Sequence, residues 1–409
     1  MGSCGAARNV DSGLQLQRFV EPSIHTTIRD EVDASMRTGA STTSAITSRW
    51  YLSASTSSRR DSRRVRASKR VDDVDESAQA LEQLLKLEDV VRARTAAHAA
   101  MTTAMQAKKT NVIATVKSDS SVATTADLAA QIVCRKMLES STAPTPYGFV
   151  GEETHVEALE DAGTLEAVLE ACGSVIEINE DDAVEALRDC VEDSRECGEY
   201  WVCDPLDGTK AFVSDDKTKQ FVFGLALVDD AGPRVAVMIA PNWYDGGGIE
   251  LFAVRGHGCF SRAFGDDAFR ASCASPRPER LNDARVVVSA HEDFERLPLG
   301  RAGVKPSGVS KLCCGSLCKY IAVCVGDADV FIQHPKKDDP FVNSWDHAAG
   351  VLCAREADAV VTDTNGEHLS VVGPDGDRRL MLPGGGGVIV ASKAIHGDVV
   401  RAYALGKID

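Results

Sequence analysis

Trp201-Val202-Cys203-Asp204-Pro205-Leu206-Asp207-Gly208-Thr209-Lys210 is the stretch whose reading decides both fold and chemistry. The apolar run 199–203 (EYWVC) reads as a strand, and two aspartates three apart follow it, with a proline between them. Pro205 fixes its own φ and holds Asp204 in extended geometry, so the turn is rigid. Two carboxylates on a rigid turn repel each other unless something positive lies between them. Hard divalent cations suit such oxygens, and Mg²⁺ takes one or two carboxylates together with waters and phosphate oxygens. Gly208 lets backbone approach a ligand closely. Thr209 offers a hydroxyl and an N–H, and a helix starting there would aim its free N–H groups at a phosphate.

Two more acidic clusters stand on either side of this one: Gly151-Glu152-Glu153-Thr154 and Trp345-Asp346-His347-Ala348-Ala349-Gly350. Each has an ordinary reading by itself. Acidic pairs are common on surfaces, and an Asp opening a helix usually caps it or complements its dipole.

Further strands are expected around the central motif at 221–228, 234–240 and 250–254, with RGHG at 255–258 as a hairpin turn. Upstream, apolar residues from Ala78 to Val91 recur at spacings of three and four, which predicts helix from about Glu76 to Ala107. A second helix is expected over Thr125–Glu139. The strongly acidic segment 155–199 reads as a solvated helical excursion. After a Pro- and Arg-rich loop near 275–280 a new unit begins: strand 285–289, helix 314–325, strand 328–332, helix 345–357 and strand 387–391. The expected division is therefore a leader 1–75, an N-terminal α+β lobe 76–280 and a C-terminal α/β lobe 281–409.

The chain has 409 residues and a formal net charge of -16, unevenly spread. Residues 35–70 carry +8 and 15 Ser/Thr, whereas residues 71–409 carry -22. The leader's composition resembles an organellar transit peptide, pointing to a plastid or mitochondrion, with the cytoplasm as the alternative. The acidic remainder excludes a general nucleic-acid binder. No apolar run is long enough to span a membrane. The 13 cysteines follow no framework spacing and form no CxxC, so buried reduced thiols are expected, with Cys313, Cys314 and Cys318 on one helix.

Taken together, GEE, DPLDGT and WDHAAG in this order resemble the inositol monophosphatase and fructose-bisphosphatase superfamily of Mg²⁺-dependent phosphatases. The resemblance spans about residues 76–409. It implies a two-lobed α/β/α/β/α sandwich and two or three Mg²⁺ ions held by Glu152, Asp204, Asp207, Asp346 and the Leu206 carbonyl. It further implies that Asp127 works with Thr209 to activate the attacking water, with Glu153 behind the metal ligands. The finer match is to 3'(2'),5'-bisphosphate nucleotidases. DGTKAF (207–212) replaces the DGTTNF of inositol monophosphatases, and VATTADLAAQ (122–131) and GSLCKY (315–320) follow the nucleotidase pattern. That pattern places Gly208 and Thr209 on the phosphate, and His291, Ser316 and Lys319 on the nucleoside. One departure is that many eukaryotic members carry Arg where Gln333-His334-Pro335 stands here.

The expected activity is removal of the 3'-phosphate from 3'-phosphoadenosine 5'-phosphate, and of its sulfated precursor, by a monomer or weak homodimer. An inositol phosphate phosphatase with the same metal site is the alternative. A non-catalytic nucleotide sensor is the rival from another class, and the loss of a metal ligand or of the Asp/Thr pair that would mark it is absent from the sequence.

Overall fold

Alternation along the central strands decides the layering. In the computed structural model, which describes residues 78–407 apart from 111–113, 117–121, 140–146, 189–197, 215, 273–277, 336–340, 372–378 and 382–386, the strands β3 (Gly148–Gly151), β4 (Tyr200–Asp207), β5 (Val222–Asp229), β6 (Gly232–Ala240), β7 (Ile249–Val254), β8 (Gly258–Ala263) and β9 (Arg270–Ala271) form one sheet in that order. β1 (Ala114–Val116) and β2 (Val122–Thr124) pair separately as a small hairpin before it. The β3–β4 pair is parallel and the rest are antiparallel.

Because side chains alternate along a strand, Trp201, Cys203, Phe223, Leu225, Leu227, Val237 and Ile239 face one way, against helices α1 (Glu88–Thr110) and α2 (Thr125–Glu139). Val202, Ala226, Val228, Ala236 and Met238 face the other way. α1 is nearly all small residues on its buried face, Ala93, Ala96, Ala97, Ala100 and Ala104, which lets it pack closely along α2. The helical excursion forms α3 (Ala162–Gly173) and α4 (Glu180–Leu187). Its acids lie outward, and its caps are Asp161, accepting from the Thr164 N–H, and a capping box of Asn179 with Asp182.

A second sheet has the order β11 (Gly308–Leu312), β10 (Arg285–Ser289), β12 (Val330–Gln333), β16 (Val388–Ser392), β14 (Ala359–Thr362). Between the two sheets lie α8 (Leu317–Cys324) and α9 (Ala348–Glu356), so one core holds Ala226 and Met238 from the first sheet, Tyr320 and Leu352 from the helices, and Val287, Phe331 and Val390 from the second. On the far face, Val286, Val288, Ile332 and Ile389 pack with Val399 and Tyr403 of α10 (His396–Gly406), beside the short α7 (Pro298–Arg301). The layers therefore run α/β/α/β/α. Single turns α5 (Thr209–Phe212) and α6 (Trp243–Gly246) and a small pair β13 (Phe341–Asn343) with β15 (Arg379–Met381) complete the list.

Three expectations need correction. The first helix is interrupted at 85–87 rather than continuous from 76. The helix expected from 314 begins at Leu317, because Gly315 takes φ 75°, which a helix cannot hold. Cys313 and Cys314 therefore precede that helix instead of sharing it with Cys318. The turn from β11 into α8 brings the two neighbouring side chains together. The leader lies outside the described residues. Among the described residues, no helix is long and apolar enough to cross a membrane.

Candidate active site

Asp204 and Asp207 are three residues apart, and on a regular strand that spacing would put them on opposite faces. The pairing with β5 removes the conflict. Asp204 stands opposite Gly224 and Asp207 opposite Val222, so three residues of β4 span two of β5, with the register shift at the Pro205 turn. The extra residue is a β-bulge, and it re-aims one carboxylate so that both look the same way.

Asp346 arrives from the second half of the chain, in the turn before α9, and the Asn343 side chain donates to its Oδ2 at 3.3 Å. Asp204, Asp207 and Asp346 each bring a carboxylate oxygen within 4.8 Å of the other two. Glu152 follows β3, whose ladder with β4 continues through the Glu152 N–H to the Cys203 carbonyl at 3.1 Å, and its carboxylate acts on Asp204.

Asp204 and Asp207 are almost fully buried. Burial pushes the Asp204 carboxyl far above the ordinary carboxylate range, and Glu152, Asp207 and Asp346 push it further. Burial and Asp346 do the same to Asp207, partly offset by the Leu317 N–H and by Lys319. Asp204 Oδ1 accepts the Leu206 N–H at 3.1 Å, whereas the buried Oδ2 has no hydrogen-bond donor among the described residues. Buried acids with an unmet acceptor fit a hard cation, which supplies the missing positive charge.

Beside this cluster Asp127, at the start of α2, is fully buried but satisfied. Its Oδ2 accepts from the Thr124 N–H at 2.8 Å and the Thr124 hydroxyl at 2.5 Å, and its Oδ1 accepts from the Thr209 hydroxyl at 3.1 Å. Thr209 Oγ1 is also 3.2 Å from the Leu206 carbonyl. Gly208 takes φ 96°, and a Cβ there would meet the carbonyls of Gln220 and Cys314.

Glu152, Gly208, Thr209, Lys210, His291 and Lys319 line one cavity of about 490 Å³, together with Ser289 and residues 312–315. The buried Asp204 and Asp207 do not reach its surface. Ser316 is buried at the start of α8 and does not line the cavity. Lys319 lines it, yet it is 95% buried, and its ammonium donates to the Gly315 carbonyl on the Asp207 side. His347 is buried with Nδ1 3.0 Å from the Tyr320 hydroxyl, and burial pushes its imidazole down to about 3, so it is neutral. His334 stacks on Tyr403, away from the acids.

Sequence reasoning missed the supports. Gln131 clamps Glu153 through both backbone groups: its Oε1 accepts the Glu153 N–H at 2.8 Å and its Nε2 donates to the Glu153 carbonyl at 2.5 Å. That fixes the backbone from which Glu152 projects, and a Cβ at Gly151 would overlap the Gln131 amide. Gly315 lies so close to the Asp207 carboxylate that a Cβ would displace it, and the Leu317 N–H donates to Asp207 Oδ2 at 2.5 Å. The signal in the sequence was present but unspecific, a Gln four residues after Asp127 and Gly315 ahead of a helix.

The model of the inositol monophosphatase family matches residues 85–404, nearly all of the described chain. The chain belongs to the inositol monophosphatase family. An Arabidopsis thaliana protein named "Putative 3'(2'),5'-bisphosphate nucleotidase, mitochondrial" is 33% identical over 222 residues, covering 49% of this chain and 55% of that protein. The match thus spans about half the length of that relative. A second, named 3',5'-bisphosphate nucleotidase 2, also from Arabidopsis thaliana, is 27% identical over 320 residues, 70% of this chain and 86% of the relative. The extragenic suppressor protein suhB of Bartonella henselae shares the fold, with a TM-score of 0.52 at 21% identity over 78% of this chain and 97% of that one.

Proposed function

We propose that this chain is a Mg²⁺-dependent 3'(2'),5'-bisphosphate nucleotidase that removes the 3'-phosphate from 3'-phosphoadenosine 5'-phosphate and from its 5'-phosphosulfate. The observation that carries the reading is the Asp127–Thr209 hydroxyl pair standing beside three mutually close carboxylates, two of them buried, with Thr209 and Glu152 on the wall of one cavity. The names of the relatives favour a nucleotide over other phosphate esters.

Asp204, Asp207, Asp346, Glu152 and the Leu206 carbonyl would hold the cations, two or three of them, with Glu153 behind. Bound there, Mg²⁺ offsets the charge of the phosphate monoester and makes a nearby water more acidic. The residues of the chain do the rest. Thr209 gives its hydroxyl hydrogen to Asp127, which leaves its oxygen free to accept from the attacking water. Asp127 then takes up the proton that the water loses. Amide N–H groups at Gly208 and Thr209 meet the phosphate oxygens, and His291 and Lys319 bound the space for the nucleoside. A rigid bulge and a packed seam keep these groups in position before substrate arrives, which is where most of the acceleration originates.

The basic leader, together with the mitochondrial relative, supports import into a mitochondrion or plastid. A fluorescent fusion of residues 1–75 should enter one of them, and a fusion left in the cytosol removes this part.

The deciding assay is phosphate release by the purified full chain in Mg²⁺ from adenosine 3',5'-bisphosphate, its phosphosulfate and inositol 1-phosphate. The expected order puts the nucleotides first. A preference for inositol 1-phosphate overturns the nucleotidase reading in favour of the inositol phosphate alternative.

A further inference from the structure

The turn that carries Thr209 is too short to hold itself. α5 is a single turn, closed by the Phe212 N–H on the Gly208 carbonyl at 3.1 Å and the Val213 N–H on the Thr209 carbonyl at 3.0 Å. A helix of this length has no cooperative stability in water, and its last carbonyls find no partner within it. The chain brings one from another element. Lys108, in the last turn of α1, donates from its ammonium to the Phe212 carbonyl and, at 3.1 Å, to the Ser214 carbonyl.

A lysine in the last turn of a helix ordinarily complements the dipole of its own helix from solvent. Lys108 is half-buried and engaged with a second element. Its ammonium stands 5.0 Å from the centre of the Phe212 ring and 5.8 Å from that of Phe221, within reach of a cation–π contact. Both rings are buried and meet edge to face at 5.1 Å. Phe221 is itself held by a backbone seam one residue before it. The Gln220 N–H donates to the Cys313 carbonyl at 2.5 Å, and the Cys314 N–H donates to the Gln220 carbonyl at 3.1 Å. The ammonium therefore rests on a packed surface.

One stretch of chain grips α5 at both ends. At the front, the Thr209 hydroxyl donates to Asp127 Oδ1 at 3.1 Å. At the back, Lys108 holds the carbonyls of Phe212 and Ser214. The segment from the end of α1 to the start of α2 runs from one grip to the other.

We propose that Lys108 is a positioning residue for the attack on phosphate: by fixing the C-terminal end of α5 it keeps the Thr209 hydroxyl on Asp127, a role that rests on the water-activating pair proposed above. Lys108 does not line the cavity, and it acts through the turn. Without its ammonium the two carbonyls lose a donor and the turn frays from its C-terminal end. Thr209 then visits orientations in which its oxygen no longer faces the water. A small misplacement caused far from the chemistry can cost about a hundredfold in rate.

The test compares the full wild-type chain with Lys108→Met, Lys108→Arg and Glu250→Gln. The measurements are phosphate release in Mg²⁺ from the substrate the wild type prefers, Mn²⁺ titration by calorimetry, and thermal unfolding. Lys108→Met keeps the stem over the rings and removes the donors. Its kcat should fall about ten- to a hundredfold, while KM and Mn²⁺ affinity stay within about twofold of wild type. Lys108→Arg should recover most of kcat. Glu250→Gln should lose stability and keep kcat, which separates positioning from a general loosening of the fold. In Asp127→Asn, where no base remains to be aligned, adding Lys108→Met should cost little more. Should Lys108→Met not fold, Lys108→Gln takes its place and should show the same split. Equal falls in kcat for the Lys108 variant and Glu250→Gln overturn the role. So does a loss that multiplies in full with that of Asp127→Asn, or one confined to KM or Mn²⁺ affinity. A wild-type chain that releases no phosphate from nucleotide or inositol 1-phosphate overturns the phosphatase reading and the role of Lys108 with it. An active wild type beside an unimpaired Lys108→Met overturns the role of Lys108 alone.

Discussion

Glu250 and Asp204 are acids buried to the same depth in the same sheet, and their surroundings are opposite. Glu250 on β7 meets Arg94 at 2.6 Å, Arg262 at 2.8 Å and His98 at 3.1 Å. Burial alone would raise its carboxyl, but His98 and then Arg94 hold it far below the usual carboxylate range. Asp204 accepts the Leu206 N–H, but burial and the acids Glu152, Asp207 and Asp346 drive its carboxyl far upward. Asp127 is a third case, held by hydrogen bonds from Thr124 and Thr209. Glu250 is thus a buried carboxylate compensated by the chain itself, and Asp204 is the one on which the proposed metal site depends.

The largest expected effect separates Asp127 from the other two. Asp127→Asn keeps the shape and most of the hydrogen bonds but cannot accept a proton. Turnover should fall by about a thousandfold or more, the range for losing a general base. Mn²⁺ binding and thermal unfolding should stay near wild type. A variant that turns over at a near-normal rate with unchanged metal dependence sinks the water-activation role.

Glu250→Gln sharpens the contrast through stability. Removing one partner of a buried charge network leaves the others uncompensated, at a cost of about 3 kcal/mol, read as a lower denaturation midpoint. The depressed carboxyl gives a definite sign. Its contribution is present above the ordinary carboxylate pKa and is lost as pH falls toward the folded value. The gap between wild type and variant should therefore narrow in acid. A gap that widens in acid breaks the assignment.

Asp204→Asn should do the reverse in metal-free protein. Relief of repulsion should leave the chain as stable or more stable, by about 1 kcal/mol, while Mn²⁺ binding collapses. Raised carboxyls mean that the folded metal-free chain binds more protons than the unfolded one just above the ordinary carboxylate range. Its stability therefore declines as pH rises through that window. The rise in Tm on adding Mg²⁺ should be larger at about pH 8 than at about pH 5, because bound protons compete with the cation. A Tm rise independent of pH, or Asp204→Asn destabilising the metal-free chain as strongly as Glu250→Gln, removes the distinction between the two regions.

The same contrast explains what the sequence made legible. DPLDGT was readable because Pro205 and Gly208 advertise backbone geometry, and the strands 222–229, 232–240 and 249–254 because they are long apolar runs buried on both faces. β11 was not readable. It is an edge strand with Val309, Ser310 and Lys311 exposed, so GVSKL has no burial pattern to reveal it. The network around Glu250 was also hidden, since Arg94 and Glu250 are 156 residues apart and nothing local marks either as buried. Gln131 and the Cys313–Cys314 seam share that property. Their meaning lies in contacts to another element of the fold, which periodicity cannot encode.

Lys319 gives the smallest effect and the finest test, because it is a buried cation whose charge acts on Asp207. On the sequence pattern it faces the nucleoside. In the fold its ammonium donates to the Gly315 carbonyl, and its charge draws the Asp207 carboxyl down. The two roles make separable predictions for Lys319→Met, which keeps the length of the stem and removes the charge. Loss of the support to Asp207 acts on the metal site and should lower kcat/KM by about tenfold on inositol 1-phosphate and nucleotide alike, the cost of disturbing a group behind a metal ligand. Loss of a nucleoside contact should lower the nucleotide value by about threefold more, and in kcat as well as in KM, since remote binding positions the scissile bond. An equal loss on both substrates, with weaker Mn²⁺ binding, assigns Lys319 to the acids and leaves His291 to carry nucleoside recognition. A loss confined to the nucleotide, with Mn²⁺ affinity unchanged, returns Lys319 to the ligand and makes Asp207 as uncompensated by the chain as Asp204.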